Sequence, residues 1–186
     1  MTRATTASHD WIRSAIDQHQ GRLIRFAARI TGDLESARDV VQDTFLRLCR
    51  ERQADVGDHL AAWLFRVCRN RALDVRKKER PLTAFDEKAN GGIPESRPDA
   101  QRSMEKDEAA RAMLLELDGL PETQQEVLRL RFLEELSYKE ISAVTGHSVG
   151  NVGFLVHTGL KRLRKRLASG ELSARPRVEG ERADVH

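Results

Sequence analysis

The chain has 186 residues, of which 39% are apolar and 33% are charged, and its formal net charge is +3. This composition supports small cores beneath a strongly solvated surface and excludes one large core. No apolar run approaches the ~18 residues that predict a membrane-spanning helix, and the start lacks the apolar segment of a secretion signal. We therefore expect a cytoplasmic protein.

The reactive and metal-binding residue types in the sequence predict no catalytic, metal or cofactor site. Cys49 and Cys68 have no CxxC partner and fall on helical patterns, so we expect two buried, reduced thiols. Neither a nucleophile–base arrangement nor a phosphate-cradling glycine loop is recognisable. An enzyme is therefore the least favoured class.

The N-terminal part begins with two predicted helices. Apolar residues at spacings of three and four predict the first over residues 10–30, and Thr31 and Gly32 end it. Asp33 is placed to cap the second, which buries a stripe that includes Val41 and Leu48.

The other side of this second helix is polar. It carries Asp39, Gln42 and Asp43, an arrangement that a solvated helix face would also show. Phe45 lies at the edge of the buried stripe, where we expect it to be available to a partner. The residues by themselves leave both interpretations open.

A third helix is predicted over residues 60–78, after a polar connection at residues 51–59. It combines an aromatic residue, Trp63, with Asn70 and a dense set of basic residues. Such a set suits both phosphates and exposed bases. The alternative is Trp63 in the core and the basic side chains in water, and for Trp63 alone burial is favoured.

The composition changes after this helix. Residues 81–100 are rich in proline and glycine, which predicts a flexible linker between two domains. The helical pattern returns from residue 101, and Pro121 opens a further helix, with Val127, Leu130 and Phe132 packing inward. Residues 169–186 are predicted to be a disordered tail.

Residues 137–167 predict a helix-turn-helix. Gly146 permits the chain reversal, and Ser148 can cap the second helix. Apolar residues that include Val152 and Val156 form its buried stripe, and a basic cluster follows at residues 161–166. A helical hairpin with a solvated basic end would show the same pattern.

Three segments in this order resemble the sigma-70 family, specifically the small extracytoplasmic-function (ECF) sigma factors. They are ARDVVQDTFLRL at residues 37–48, AWLFRVCRNRALDVRKKE at 62–79 and LPETQQEVLRLRFLEELSYKEISAVTG at 120–146. The resemblance implies an all-α fold of two small helical domains. Region 2 would cover residues 10–80, the linker 81–100, region 4 residues 101–168 and the tail 169–186.

The resemblance also assigns expected site residues. The core polymerase-binding residues would be Asp39, Gln42, Asp43 and Phe45, which dock on the beta-prime clamp helices. The residues at the melted minus-10 element would be Trp63, Arg66, Arg69, Asn70, Arg76, Lys77 and Lys78. The residues at the minus-35 element would be Ser148, Asn151, Gly153, Phe154, His157, Lys161, Arg162 and Lys165.

The start of the recognition helix departs from the usual family pattern. Asn151, Gly153, Phe154 and Leu155 stand where many relatives carry a threonine, a basic residue, a serine and an arginine. Hydrogen-bonded base recognition is therefore reduced. Asn151 remains a candidate for adenine and Phe154 for a thymine methyl group.

The resemblance implies a non-catalytic subunit that directs bacterial RNA polymerase to promoters and aids melting. Its partners would be core polymerase, through the beta-prime clamp helices and the beta flap, and promoter DNA; an anti-sigma factor is a further candidate. No membrane insertion, small-molecule substrate or cofactor is implied. The alternative is a conventional helix-turn-helix regulator that binds duplex DNA as a dimer, which leaves the polar face at residues 39–45 unexplained.

Overall fold

The computed structural model describes residues 3–79 and 117–168, and every regular element in these ranges is helical. The elements are α1 (Arg3–Thr31), α2 (Leu34–Leu48), α3 (Gln53–Val56), a 3-10 turn (Gly57–His59), α4 (Leu60–Glu79), α5 (Glu122–Phe132), α6 (Tyr138–Thr145) and α7 (Val149–Ala168). The predicted all-α fold is confirmed. The predicted linker, the helical segment before residue 117 and the predicted tail lie outside the described residues. Within the described ranges, no helix has the length and apolar character needed to cross a membrane.

The N-terminal unit is built from α1, α2 and α4, which pack against one another in pairs. Leu23 and Leu48 are fully buried between them. The rings of Phe26 and Phe65 meet edge to face, with centroids 5.2 Å apart. These contacts fix the orientation of α2 and α4, so their remaining faces are presented outward in a defined way.

The turn between α1 and α2 follows the sequence prediction. Gly32 has a φ of 80°, a left-handed conformation that glycine adopts without steric cost. Asp33 then accepts a hydrogen bond from the backbone N of Ser36 at 2.6 Å, which satisfies one of the free N–H groups at the start of α2. The predicted polar connection before α4 contains α3 and the 3-10 turn, which the periodicity did not indicate.

The C-terminal unit packs α5 and α6 against α7. Gly159 allows α5 and α7 to approach closely, because a Cβ atom there would lie 2.9 Å from Cδ1 of Leu128. Gly146 ends α6 with a φ of 79°, as predicted for the reversal, and Ser148 accepts a hydrogen bond from the N of Asn151 at 3.2 Å. The helix-turn-helix is therefore present in α6 and α7.

The two units also contact each other, since α4 packs against α6 and the buried apolar residues of both units join in one cluster. Two expectations about burial near helix ends are wrong. Phe132 is 46% exposed at the end of α5 rather than packed inward, and Cys49 is exposed, whereas Cys68 is buried as expected. Both exposed residues lie at the last turn or cap of a helix, where periodicity constrains the side chain least.

Candidate nucleic-acid interface

The outward face of α2 carries three of the four predicted polymerase-binding residues. Asp39 and Gln42 are exposed, and Asp43 is half-buried because its carboxylate accepts a hydrogen bond from Nε of Arg71 at 2.8 Å. This ion pair joins α2 to α4 across their outer edges. Asp43 therefore helps to hold the two helices together, and its carboxylate is only partly available to a partner.

Phe45 lies in the core of the N-terminal unit. Only 8% of its surface is exposed, so the expectation that it is available to a partner is wrong in this conformation. Leu46 is 53% exposed and falls on the same face as Asp39 and Gln42, at helical spacings of three and four. The signal was present in the sequence, because Leu46 extends the polar stripe by one turn.

Helix α4 presents its basic residues on two faces. The open face carries Arg66, Asn70 and Lys77, all exposed, and Lys78 is exposed beside it. The covered face carries Arg69 and Arg76, which point towards α5.

The covered face is engaged by carboxylates. The Nε and Nη2 atoms of Arg69 donate to Oε1 and Oε2 of Glu126 at 2.6 and 3.0 Å. Nη1 of Arg76 lies 3.8 Å from a carboxylate oxygen of Glu122. The structure thus divides the predicted minus-10 residues into an accessible group and a paired group.

Trp63 belongs to neither face. It is 9% exposed and sits in the core with Leu64 and Phe65. Burial was the favoured outcome for this residue alone, and it leaves no exposed ring for base stacking in this conformation. Trp63 therefore anchors the inner face of α4 in the core.

The recognition helix α7 is open along one face. Phe154 is 63% exposed, and His157, Lys161 and Lys165 continue the same stripe towards the C-terminal end. Asn151 is exposed on the adjacent side. Arg164, exposed beside this stripe, is a cation that the sequence assignment omitted. The face changes from apolar at its start to cationic at its end.

Two of the predicted minus-35 residues are used inside the C-terminal unit. Gly153 is half-buried beneath the ring of Tyr138, to which a Cβ atom at this position would come within 3.6 Å. Nη1 of Arg162 donates to Oε1 of Gln124 at 2.9 Å, and Nε2 of Gln124 donates to Thr158. These two residues therefore fasten α7 to its neighbours.

An ionised Glu140 stabilises the start of α6. Its carboxylate accepts hydrogen bonds from the hydroxyl of Ser137 at 2.6 Å and from the backbone N of Ser137 at 2.8 Å, and these bonds hold the pKa of Glu140 below its usual value. A lowered acid pKa adds stability that is present at neutral pH and is lost as the pH falls through the lowered value. The capping box at the start of α6 is therefore complete at neutral pH.

Comparisons with known proteins agree with this arrangement. Residues 15–81 match the Sigma-70 region 2 family, and residues 110–163 match the Sigma-70, region 4 family. The ECF RNA polymerase sigma factor SigL of Mycobacterium tuberculosis is 31% identical, over 87% of this chain and 91% of its own length. The ECF RNA polymerase sigma factor SigE of Mycolicibacterium smegmatis is 30% identical over 82% of this chain. The matched part covers only 60% of the length of that relative.

A solved structure extends the similarity to the fold. CnrH, in complex with the cytosolic domain of CnrY, is 25% identical and superposes with a TM-score of 0.55, covering 90% of this chain and 96% of CnrH. The helix order, the two matched regions and the identity to SigL all indicate the same family. The chain belongs to the ECF sigma factors of the sigma-70 family.

Proposed function

We propose that this ECF sigma factor binds core RNA polymerase and directs it to promoters whose two elements are recognised by α4 and α7. The observation that carries the proposal is the presence, in one chain, of two helical units that each expose a basic helix face. A dimeric helix-turn-helix regulator needs only α7 and leaves the exposed faces of α2 and α4 without a role. The comparisons also favour the sigma factor.

The open face of α4 suits the melted minus-10 element. Arg66 and Asn70 are placed for bases or sugars, and Lys77 and Lys78 for the phosphate backbone. Removing a base from the stack costs a few kcal/mol, which a cationic groove and a base pocket can offset. Arg69 joins this surface only when Glu126 is displaced, whereas Arg76 lies 3.8 Å from Glu122 and its side chain is already 37% exposed.

The open face of α7 suits the major groove at the minus-35 element. Asn151 can pair with the N6 and N7 atoms of adenine, and Phe154 can contact a thymine methyl group. Lys161 and Lys165 follow at the end where the phosphate backbone would pass, with His157 between the two groups. Specificity would therefore arise at the start of α7 and affinity at its end.

In this proposal the beta-prime clamp helices bind the exposed face of α2, and the beta flap binds the C-terminal unit. Asp39 and Gln42 supply polar contacts there, and Leu46 supplies the apolar contact that the sequence predicts for Phe45. Phosphodiester chemistry then belongs to the polymerase. Because CnrH shares this fold and binds the cytosolic domain of CnrY, we also propose a comparable protein partner for this chain.

The function is tested by mixing the purified chain with sigma-free core polymerase and a library of promoter fragments. We expect co-elution with core and transcripts that start downstream of one shared pair of elements. Absence of core binding, or core binding without promoter-dependent transcripts, would contradict the proposal. Tight binding to duplex DNA as a symmetric dimer without polymerase would favour the alternative regulator.

A substitution at Leu46 tests the proposed face on α2. We expect Leu46→Asp to weaken core binding by about thirtyfold, because it places a charge in the apolar centre of an interface. The melting temperature should hardly change, since Leu46 is exposed in the free chain. Leu46→Met is the matched control and should bind normally; equal binding by the Asp and Met variants would exclude this face.

A further inference from the structure

Three carboxylates of the C-terminal unit lie against three arginines of the N-terminal unit. Glu126 pairs with Arg69, Glu122 with Arg76, and Glu134 with Arg22, the last through a hydrogen bond of 2.6 Å from Nε. Each pair joins residues far apart in sequence. The pairs therefore form part of the contact between the two units.

The central pair has the geometry of a phosphate contact. Arg69 gives two parallel hydrogen bonds to Glu126, and both side chains are less than one-fifth exposed. The guanidinium fork matches a carboxylate and a phosphate in the same way. Glu126 thus occupies the arginine in the manner expected of a DNA phosphate.

The turn that carries Glu134 is held in an unusual conformation. Glu135 has a φ of 57°, in the left-handed region that side chains other than asparagine and aspartate seldom adopt. The carbonyl of Leu133 accepts a hydrogen bond from Arg22, so that arginine contacts the turn twice. Two hydrogen bonds from one arginine thus hold the turn that carries Glu134 against α1.

We propose that Glu126 and Glu134 form a carboxylate latch, with Glu122 at its exposed edge, that closes the free chain. Glu126 takes the place of a DNA phosphate on Arg69, and Glu134 is anchored on Arg22. Promoter DNA can engage the covered face of α4 only after the latch opens. The open face of α4 and the stripe on α7 stay accessible in the closed form. This inference rests on the proposed function for the identity of the competing ligand, whereas the closure itself does not.

The latch should respond to salt and to the loss of a single carboxylate. Ion pairs that are partly exposed weaken as ionic strength rises. Replacing Glu126 by glutamine removes the charge with little change in shape, and we expect it to raise the open fraction about fivefold. Glu135→Gln removes the same charge from an exposed position with no ion pair among the described residues, so it is the matched control.

Fluorescence energy transfer across the two units measures the closure in the full-length chain. One dye is attached to Cys49, which is exposed on the N-terminal unit, and the other to Ala143→Cys on α6, also exposed. Cys68 does not compete for the label, because it is buried and its burial raises the pKa of its thiol to about 12. We expect high transfer at low salt and a fall as salt increases.

The variants decide the matter. The salt midpoint should move lower in Glu126→Gln and stay unchanged in Glu135→Gln, and the exchange of Arg69→Glu with Glu126→Arg should restore it. Low transfer in the free chain at low salt, or the same midpoint in both glutamine variants, would overturn the latch. Melting temperatures of all variants exclude unfolding as the cause.

A second measurement connects the latch to DNA. The free Glu126→Gln chain should bind a single-stranded minus-10 fragment about fivefold more tightly than the Glu135→Gln chain. Equal affinities would show that Glu126 does not mask the DNA surface. Co-elution with core polymerase is scored separately, so loss of core binding with normal latch behaviour would reject the proposed function and leave the closure intact.

Discussion

The two most basic helices of this sigma factor differ in what lies over their charged side chains. On α4, Arg69 and Arg71 are held by the carboxylates of Glu126 and Asp43. On α7, the stripe that ends in Lys161 and Lys165 is exposed. The charge pattern of a helix therefore indicates which ligand it suits, whereas its tertiary neighbours decide whether the free protein presents that surface.

This difference has an electrostatic consequence. An exposed lysine attracts DNA over roughly a Debye length, about 8–10 Å at physiological ionic strength. An arginine already paired with a carboxylate has most of its field cancelled and its donors occupied. The free chain should thus approach duplex DNA through α7, and the covered face of α4 should contribute only after rearrangement.

Charge reversal on the two faces of α4 should give the largest contrast. Arg69→Glu brings two carboxylates together in a poorly solvated contact, and we expect the free energy of unfolding to fall by about 2 kcal/mol. Arg66→Glu alters an exposed residue of similar chemistry and should change it by less than about 0.5 kcal/mol. Urea denaturation of the full-length chain measures both values. Similar losses in the two variants would show that the Arg69–Glu126 pair does not form in solution.

The elements of this fold follow closely from local sequence. The third helix was predicted over residues 60–78 and is found at Leu60–Glu79, because its apolar spacing is regular throughout. Asp33, Gly146 and Ser148 have their predicted roles at helix ends, since each acts through its own backbone neighbourhood. Helix α3 was missed, because four residues are too few to show a helical period.

The site was less predictable, because tertiary packing determines it. Phe45 and Leu46 are adjacent in sequence and both apolar, and the packing of α2 against α1 and α4 buries Phe45 and leaves Leu46 exposed on the polar stripe. The pairing of Arg69 with Glu126 joins residues 57 positions apart, with the predicted linker between them. Composition and periodicity carry no information about such a register.

The salt dependence of DNA affinity should also differ between variants of α7 and variants of α4. Each phosphate contact contributes about 0.9 to the slope of log affinity against log salt on duplex DNA. Lys161→Ala should lower the slope of the free chain on duplex DNA by about that amount, because Lys161 is exposed. Arg69→Ala should leave the slope of the free chain unchanged and lower it only in complex with polymerase. A loss of slope in both free variants would mean that the covered face of α4 contacts DNA without rearrangement.

The smallest expected effect concerns the apolar start of the open α7 face. Phe154 presents no hydrogen-bonding group, so its contribution to base preference should come from contact with a thymine methyl group. Replacing thymine by uracil removes that methyl group and leaves base pairing intact. Burial of one such group is worth about 0.8 kcal/mol, which corresponds to about a fourfold loss of affinity at the contacted position.

In Phe154→Ala the same substitution should have no effect, since the contact is already absent. Promoter-binding titrations of both proteins on thymine and uracil duplexes give the coupling directly. Equal losses in the two proteins would mean that another residue contacts the methyl group. The recognition helix would then obtain its specificity from Asn151 and His157 instead.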